Sequence, residues 1–244
     1  MKNKLFINIP HAKLKTPKEF YSKLIIDKSI FEHYNIFMSD YLVDKLKPVG
    51  YKAFIAKFSR LYCDIERFSD DSIEEMSKLG MGVVYNKFYD GKEFIKFNKE
   101  YKNNIIQNYY SKYHNKLDKY VIKNYKKYNL ILIDLHSYDE NMVKAFKPLN
   151  KNCPDICIGV NNKFTSENLK NFTINYFKNL SYKVDINYPY SDTLIPNICF
   201  KENIKINSIM LEINKNVYLN SHKDFKKLKK ALKIYCKKIK KINL

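Results

Sequence analysis

Alternation constrains this chain more than any other feature. Short apolar runs of strand character recur between longer stretches of helical period. The strand candidates are residues 5–9, 53–58, 130–135, 156–160, 182–186 and 209–213. Helical patterns cover 40–47, 99–127, 166–180 and 223–240, with Ser166 placed to cap the third. Such alternation predicts an α/β fold, a three-layer α/β/α arrangement on a mixed, largely parallel sheet. Asp90-Gly91 predicts a hairpin turn between 82–85 and 93–97. No repeat or long linker interrupts the pattern, so residues 1–244 are read as a single domain.

Charge invites a different reading. The formal net charge is +20, which suits a nucleic-acid binder. Yet only Arg60 and Arg67 among the 45 basic residues are arginine, and the lysines are spread along the whole chain. The one dense cluster, 223–241, has helical spacing and reads as a solvated helix face. We therefore expect no specific nucleic-acid partner. The apolar stretch at 5–10 is too short for a signal-peptide core and no small-residue cleavage site follows, so a cytoplasmic protein without a membrane span is expected. The five cysteines have no framework spacing and read as free thiols.

In open α/β sheets, ligands sit beyond the carboxyl ends of the strands. His11, Arg60, His136 and Glu212 all fall at or near such ends. Either histidine alone reads equally as a satisfied structural residue. With Asp40, the two make the donor set of a catalytic zinc, two imidazoles and a carboxylate with a fourth position for water. Such a set accepts other divalent ions as well. Glu212 interrupts an apolar strand, as a general base or as an edge residue facing solvent. The two arginines, in a chain that otherwise uses lysine, point to a site where a planar fork grips a carboxylate or oxyanion, or else to a structural ion pair.

Residues 131–138, ending in Asp134-Leu135-His136-Ser137-Tyr138, resemble the zinc-histidine strand of the zinc carboxypeptidases. The whole chain from about 5 to 220 resembles the N-formylglutamate amidohydrolase family, which shares that fold. The matching segments are Pro10-His11, the 39–46 helix beginning Ser39-Asp40, the Ser59-Arg60 to Arg67 signature, Tyr113-His114, Pro154-Asp155 and Leu211-Glu212-Ile213-Asn214. The resemblance implies a zinc-peptidase-like (phosphorylase/hydrolase-like) fold and hydrolysis of a linear amide, with an N-acyl amino acid such as N-formyl-L-glutamate as the small-molecule substrate. It implies one zinc per chain on His11, Asp40 and His136, with Asp40 preferred to Asp44. Glu212 would be the base and later the acid. Arg60 and Arg67 would hold the substrate or its oxyanion, with Asp64 orienting an arginine. His114 would line the site or brace its helix.

Departures from the family pattern are Ala12 for serine, Glu66 for the asparagine before Arg67, Lys215 for an arginine, and Asp192 in a loop lacking a glycine pair. Asp192 and Glu66 would therefore bear on what the pocket accepts. The rival readings are a metallo-carboxypeptidase or amidase acting on peptide or cell-wall fragments, and a binding protein on the same fold. Oligomeric state is not legible in the sequence.

Overall fold

The structure, a computed structural model, describes residues 1–146 and 152–244. Its centre is a six-stranded sheet built from β1 (Lys2–Ile9), β2 (Lys52–Ile55), β3 (Tyr128–Tyr138), β4 (Ile156–Gly159), β5 (Val184–Ile186) and β6 (Asn207–Asn214). The spatial order is β2-β1-β3-β6-β4-β5. Strands β2, β1, β3 and β6 run parallel, and β4 meets β6 antiparallel while pairing parallel with β5. The sheet is thus mixed and largely parallel.

Central strands are covered on both faces, which is why they read as apolar runs. Their two-residue period sorts side chains between two cores. Leu5, Ile7, Ile131, Ile133, Leu135, Ile209 and Leu211 enter one. Phe6, Leu130 and Leu132 enter the other. Against the first pack α3 (Val43–Leu46), α7 (Glu167–Lys178), α9 (Asn216–Leu219) and α10 (His222–Ile239). Against the second pack α1 (Lys18–Tyr21), α2 (Lys28–Met38), α5 (Ser111–Asn124) and α8 (Asn197–Lys201). The result is the three-layer arrangement that alternation predicts.

Local chemistry sets the helix ends. Ser166 accepts from the Leu169 N–H, and Ser221 from the Asp224 N–H. In α10 the buried side chains Leu228, Ala231, Leu232, Tyr235, Cys236 and Ile239 form one stripe, leaving the lysines of the 223–241 cluster to the other faces. Each such large side chain contributes roughly 1.5–3 kcal/mol through burial. No helix among the described residues is long and apolar enough to cross a membrane.

Two expectations need correction, and one helix was not expected. The long helix at 99–127 is two helices, α4 (Lys99–Ile105) and α5, joined by a π-helical turn at Ile106–Tyr110. The hairpin at Asp90-Gly91 turns, but 82–85 and 93–97 do not pair as strands: Lys87 bridges Glu93, while Met81 bridges Tyr85 and Ile95 bridges Leu24. Helix α2 went unread, because it buries only Phe31, Asn35 and Met38 and one of these is polar. Gly159 ends β4 where a Cβ would meet the Asp192 carbonyl at 2.0 Å, so only glycine lets the 187–193 loop cross here.

Candidate functional site

The ionisable residues that break the apolar central strands lie on one face. Asn8 in β1, Asp134 and His136 in β3, and Glu212 in β6 share the parity of Phe6 and Leu132. Parallel register sets Asn8 opposite Asp134 and His136 opposite Glu212. His11 lies just past β1, and its carbonyl accepts from the Asp40 N–H at 3.0 Å, which draws the loop after α2 to the sheet's carboxyl end. All six of these residues, Asn8, His11, Asp40, Asp134, His136 and Glu212, are buried.

Two imidazoles meet at Asp40. Its Oδ2 stands 3.1 Å from His136 Nδ1 and 3.7 Å from His11 Nδ1. Asp44 instead pairs with Lys13 at 2.5 Å, so the nearby carboxylate turns away from the histidines. The far nitrogens have carboxylates of their own. His11 Nε2 bonds Asp64 Oδ1 at 2.8 Å. His136 Nε2 stands 3.1 Å from both Glu66 Oε2 and Asp134 Oδ1, but neither oxygen lies along the ring's N–H direction and the nitrogen has no hydrogen bond. Behind them, Asn8 Nδ2 donates to Glu66 and to Asp134, each at 2.8 Å, and Asn8 Oδ1 accepts from Tyr113 at 2.5 Å.

Asp64 is the hub beneath His11. It also accepts from Arg60 Nε and Nη2 at 3.1 and 2.8 Å, from Tyr85 at 2.8 Å and from the Glu66 N–H at 3.0 Å. Burial opposes its ionisation, but His11 and Arg60 beside it hold the carboxyl well below its usual range. Burial and Arg60 pull His11 down. Burial also pulls on His136, yet the Glu66 and Asp134 carboxylates override it and hold the imidazole well above its ordinary value. Burial pushes Glu212 up to about 8, and burial with Asp134 pushes Glu66 up to about 8.

These facts bear on a metal. Six carboxyl groups, Asp40, Asp64, Glu66, Glu74, Asp134 and Glu212, cluster with three basic side chains, Arg60, Arg67 and Lys215. Burying so many carboxyl groups is costly unless each is paired, hydrogen-bonded or bound to a cation. His11 Nδ1 and His136 Nε2 are buried without a hydrogen bond. Carboxylates behind ligating imidazoles are the usual outer support of such a centre. The residues present therefore fit a divalent cation. His11, Glu66 and His136 also bring one ligand atom each to within 4.8 Å of one another, so the cluster offers a His/Glu/His set beside the His/Asp/His set.

The remaining expected residues divide. Glu212 Oε2 stands 4.0 Å from His136 Nδ1, on the Asp40 side. Arg60 is tied to Asp64, whereas Arg67 Nε is 3.9 Å from Asp64 and has no hydrogen bond. Lys215 is buried and donates to the Phe37 carbonyl at 2.6 Å. His114 is buried and bonds the Ile65 carbonyl at 2.7 Å, bracing the 64–67 loop. Asp192 is exposed, and its carboxylate accepts from Asn161 Nδ2 and from the Thr193 N–H. An Asp192→Asn variant is expected to keep kcat/KM within about 2-fold, as substitutions at exposed positions commonly do; a loss above 10-fold in a steady-state assay would support a substrate contact there.

Sequence reading missed Glu66 as a metal-facing donor, missed Asn8, and named Asp134 in the strand motif without giving it a role. The last two carried a legible signal, since each is a polar break in a buried strand with the parity of His136. Glu66 lies in a loop, where no periodicity tells which way a side chain points.

Comparison with known proteins follows the same lines. The chain matches the N-formylglutamate amidohydrolase family over residues 3–219. The crystal structure of N-formylglutamate amidohydrolase from Ralstonia eutropha JMP134 has a similar fold, with a TM-score of 0.81 at 21% identity, covering 97% of this chain and 92% of that one. That of gene product Atu2144 from Agrobacterium tumefaciens gives 0.64 at 16% identity, covering 96% and 90%. No curated protein matches the chain. The family match extends over nearly the whole chain, and the chain belongs to the N-formylglutamate amidohydrolase family.

Proposed function

We propose that this protein is a zinc-dependent hydrolase of a linear amide C–N bond that converts N-formyl-L-glutamate, or a closely similar N-acyl amino acid, to the acid and the free amine. The observation that carries this reading is the approach of two imidazole Nδ1 atoms to Asp40 with Glu212 beside them. His11, Asp40 and His136 would hold the ion. Asp40 is assigned over Glu66 because it lies on the side of His136 that faces Glu212, whereas Glu66 lies behind the ring. When bound, the ion supplies a Lewis acid for the scissile carbonyl and acidifies water.

The chain's own residues do the rest. Glu212 takes a proton from the attacking water and returns it to the leaving nitrogen; a carboxyl raised toward neutrality by burial suits both transfers. Arg60, held at fixed geometry by Asp64, stabilises the developing oxyanion. Arg67, whose Nε–H is unused, receives the substrate carboxylate.

Formate release from N-formyl-L-glutamate by zinc-loaded protein tests the reading, beside an N-formyl neutral amino acid and a short peptide. The highest kcat/KM is expected for the glutamate derivative. In Arg67→Lys the loss of a planar fork should raise KM about 10- to 100-fold with less effect on kcat. Release of a C-terminal amino acid from the peptide without formate production would replace this reading with a carboxypeptidase.

A further inference from the structure

The segment that carries Asp40 is held on both sides by residues with no part in the chemistry above. Lys215 Nζ donates to the Phe37 carbonyl at 2.6 Å, in the last turn of α2. Tyr218 Oη donates to the Tyr41 carbonyl at 2.6 Å. These two carbonyls flank Asp40. A carbonyl only accepts, so the single phenolic proton goes to Tyr41, and the Ser137 hydroxyl, 2.9 Å away, donates to the phenol oxygen. One buried hydroxyl thus joins the residue after Asp40 to the residue after His136.

A lysine near a helix C-terminus often bonds a late carbonyl and does nothing more. Two observations go further here. Both donors come from one turn, 215–218, closed by the Tyr218 N–H on the Lys215 carbonyl at 3.2 Å. That turn directly continues the strand bearing Glu212: the Lys215 N–H bonds the Tyr138 carbonyl at 2.9 Å, so the β3–β6 ladder runs straight into it. The second observation is Leu42, just beyond Tyr41, with φ 63°. This left-handed conformation is costly for leucine and persists where the surroundings impose it. The Asp40 segment is therefore held in a bend that its own sequence does not favour.

We propose that Lys215 and Tyr218 are positioning residues of the metal centre: by bonding the chain on both sides of Asp40, they fix its carboxylate against His136 and Glu212. Contacts of this kind set how well a ligand set is organised before the ion arrives, and removing one costs about 10- to 100-fold in metal affinity. This inference rests on the reading that His11, Asp40 and His136 hold the ion.

Zinc affinity separates the two claims. Metal-depleted full-length protein is titrated with Zn2+ against a competing chelator, and thermal melts of the metal-free protein are followed by circular dichroism. Tyr218→Phe, which removes only the hydroxyl, and Lys215→Met are each expected to raise the zinc Kd about 10- to 100-fold, whereas Lys215→Arg, which keeps a long donor, should stay within about 3-fold of the wild type. Tyr176→Phe is the control. It loses another buried bond, from Tyr176 Oη to the Ala231 carbonyl at 2.8 Å between α7 and α10. It should melt earlier while keeping the zinc Kd within about 2-fold, as a site with no shared partners does. Should Lys215→Met fail to fold, Tyr218→Phe carries the test. A Kd unchanged in Tyr218→Phe or in Lys215→Met, while Asp40→Asn loses zinc, overturns that residue's assignment and leaves the ligand reading intact. Wild-type zinc binding in Asp40→Asn overturns the ligand reading and the positioning role with it. A loss in Tyr176→Phe as large as in Tyr218→Phe, or in Lys215→Arg as large as in Lys215→Met, means a general loosening of the fold and also overturns the proposal.

Discussion

Glu212→Gln is expected to lower kcat for formate release by about 10²–10⁴-fold, the usual contribution of a positioned proton carrier. The substitution keeps size and shape but leaves an amide that does not accept the water's proton. Its partner geometry is fixed by backbone pairing, since Glu212 lies opposite His136 in the β3–β6 register. Zinc content and the circular dichroism spectrum should remain as in the wild type, because Asp40 and both imidazoles are untouched. KM should change little, since Arg67 and not Glu212 receives the carboxylate. Measured kcat within about 3-fold of wild type, with zinc bound, would exclude Glu212 as the proton carrier.

The second large effect is on stability. Asp64→Asn is expected to cost about 3–5 kcal/mol, the range for removing one partner of a buried ion pair. Asp64 is fully buried and accepts from His11, Arg60, Tyr85 and a backbone N–H. Loss of its charge strands the Arg60 guanidinium, of which only 13% of the side chain is exposed. The pH dependence has a definite sign. The folded carboxyl titrates well below its ordinary value. Its contribution is therefore full above the unfolded value of about 3.9, and is lost as pH falls from there through the folded value. Urea denaturation of metal-depleted protein at pH 7 should show the full difference between wild type and variant, and the gap should narrow below about pH 4. A cost under about 1 kcal/mol at pH 7 would mean that Asp64 is solvated, contrary to its burial.

Much of the sheet was legible because the physics of a doubly covered strand is simple. Leu5, Ile7 and Ile9, or Ile131, Ile133 and Leu135, cannot be left in water at that density, so apolar runs mark β1 and β3. Strand-borne site residues inherit that clarity. His136 and Glu212 are visible as polar breaks, and their placement on one face follows from a two-residue period. Loop-borne residues have no such rule. Whether Asp40 or Asp44 faces the histidines depends on where Lys13 reaches, and the 39–46 segment does not show this. His114 carries a helical period, yet its bond to the Ile65 carbonyl depends on how the 64–67 loop folds beneath it. Asp192 reads as a pocket residue because its loop lacks a glycine pair, and the sequence does not show that its carboxylate accepts from Asn161 Nδ2 and the Thr193 N–H.

The pairing of β3 with β6 has a consequence for how such a protein changes over generations. Eight consecutive residue pairs from Ile131–Asn207 to Tyr138–Asn214 lock the two strands, and a slip of one position would turn His136 and Glu212 to different faces. Chemistry placed on that pair cannot drift by small steps. The 57–67 and 187–195 segments lie outside that ladder, so exchanges at positions there that carry no buried hydrogen bond leave the β3–β6 register intact. Diversification of the lineage should therefore run through its loops, with new amino-acid portions of the substrate accepted through exchanges around Arg67 while the proton carrier and its histidine are inherited together as a pair.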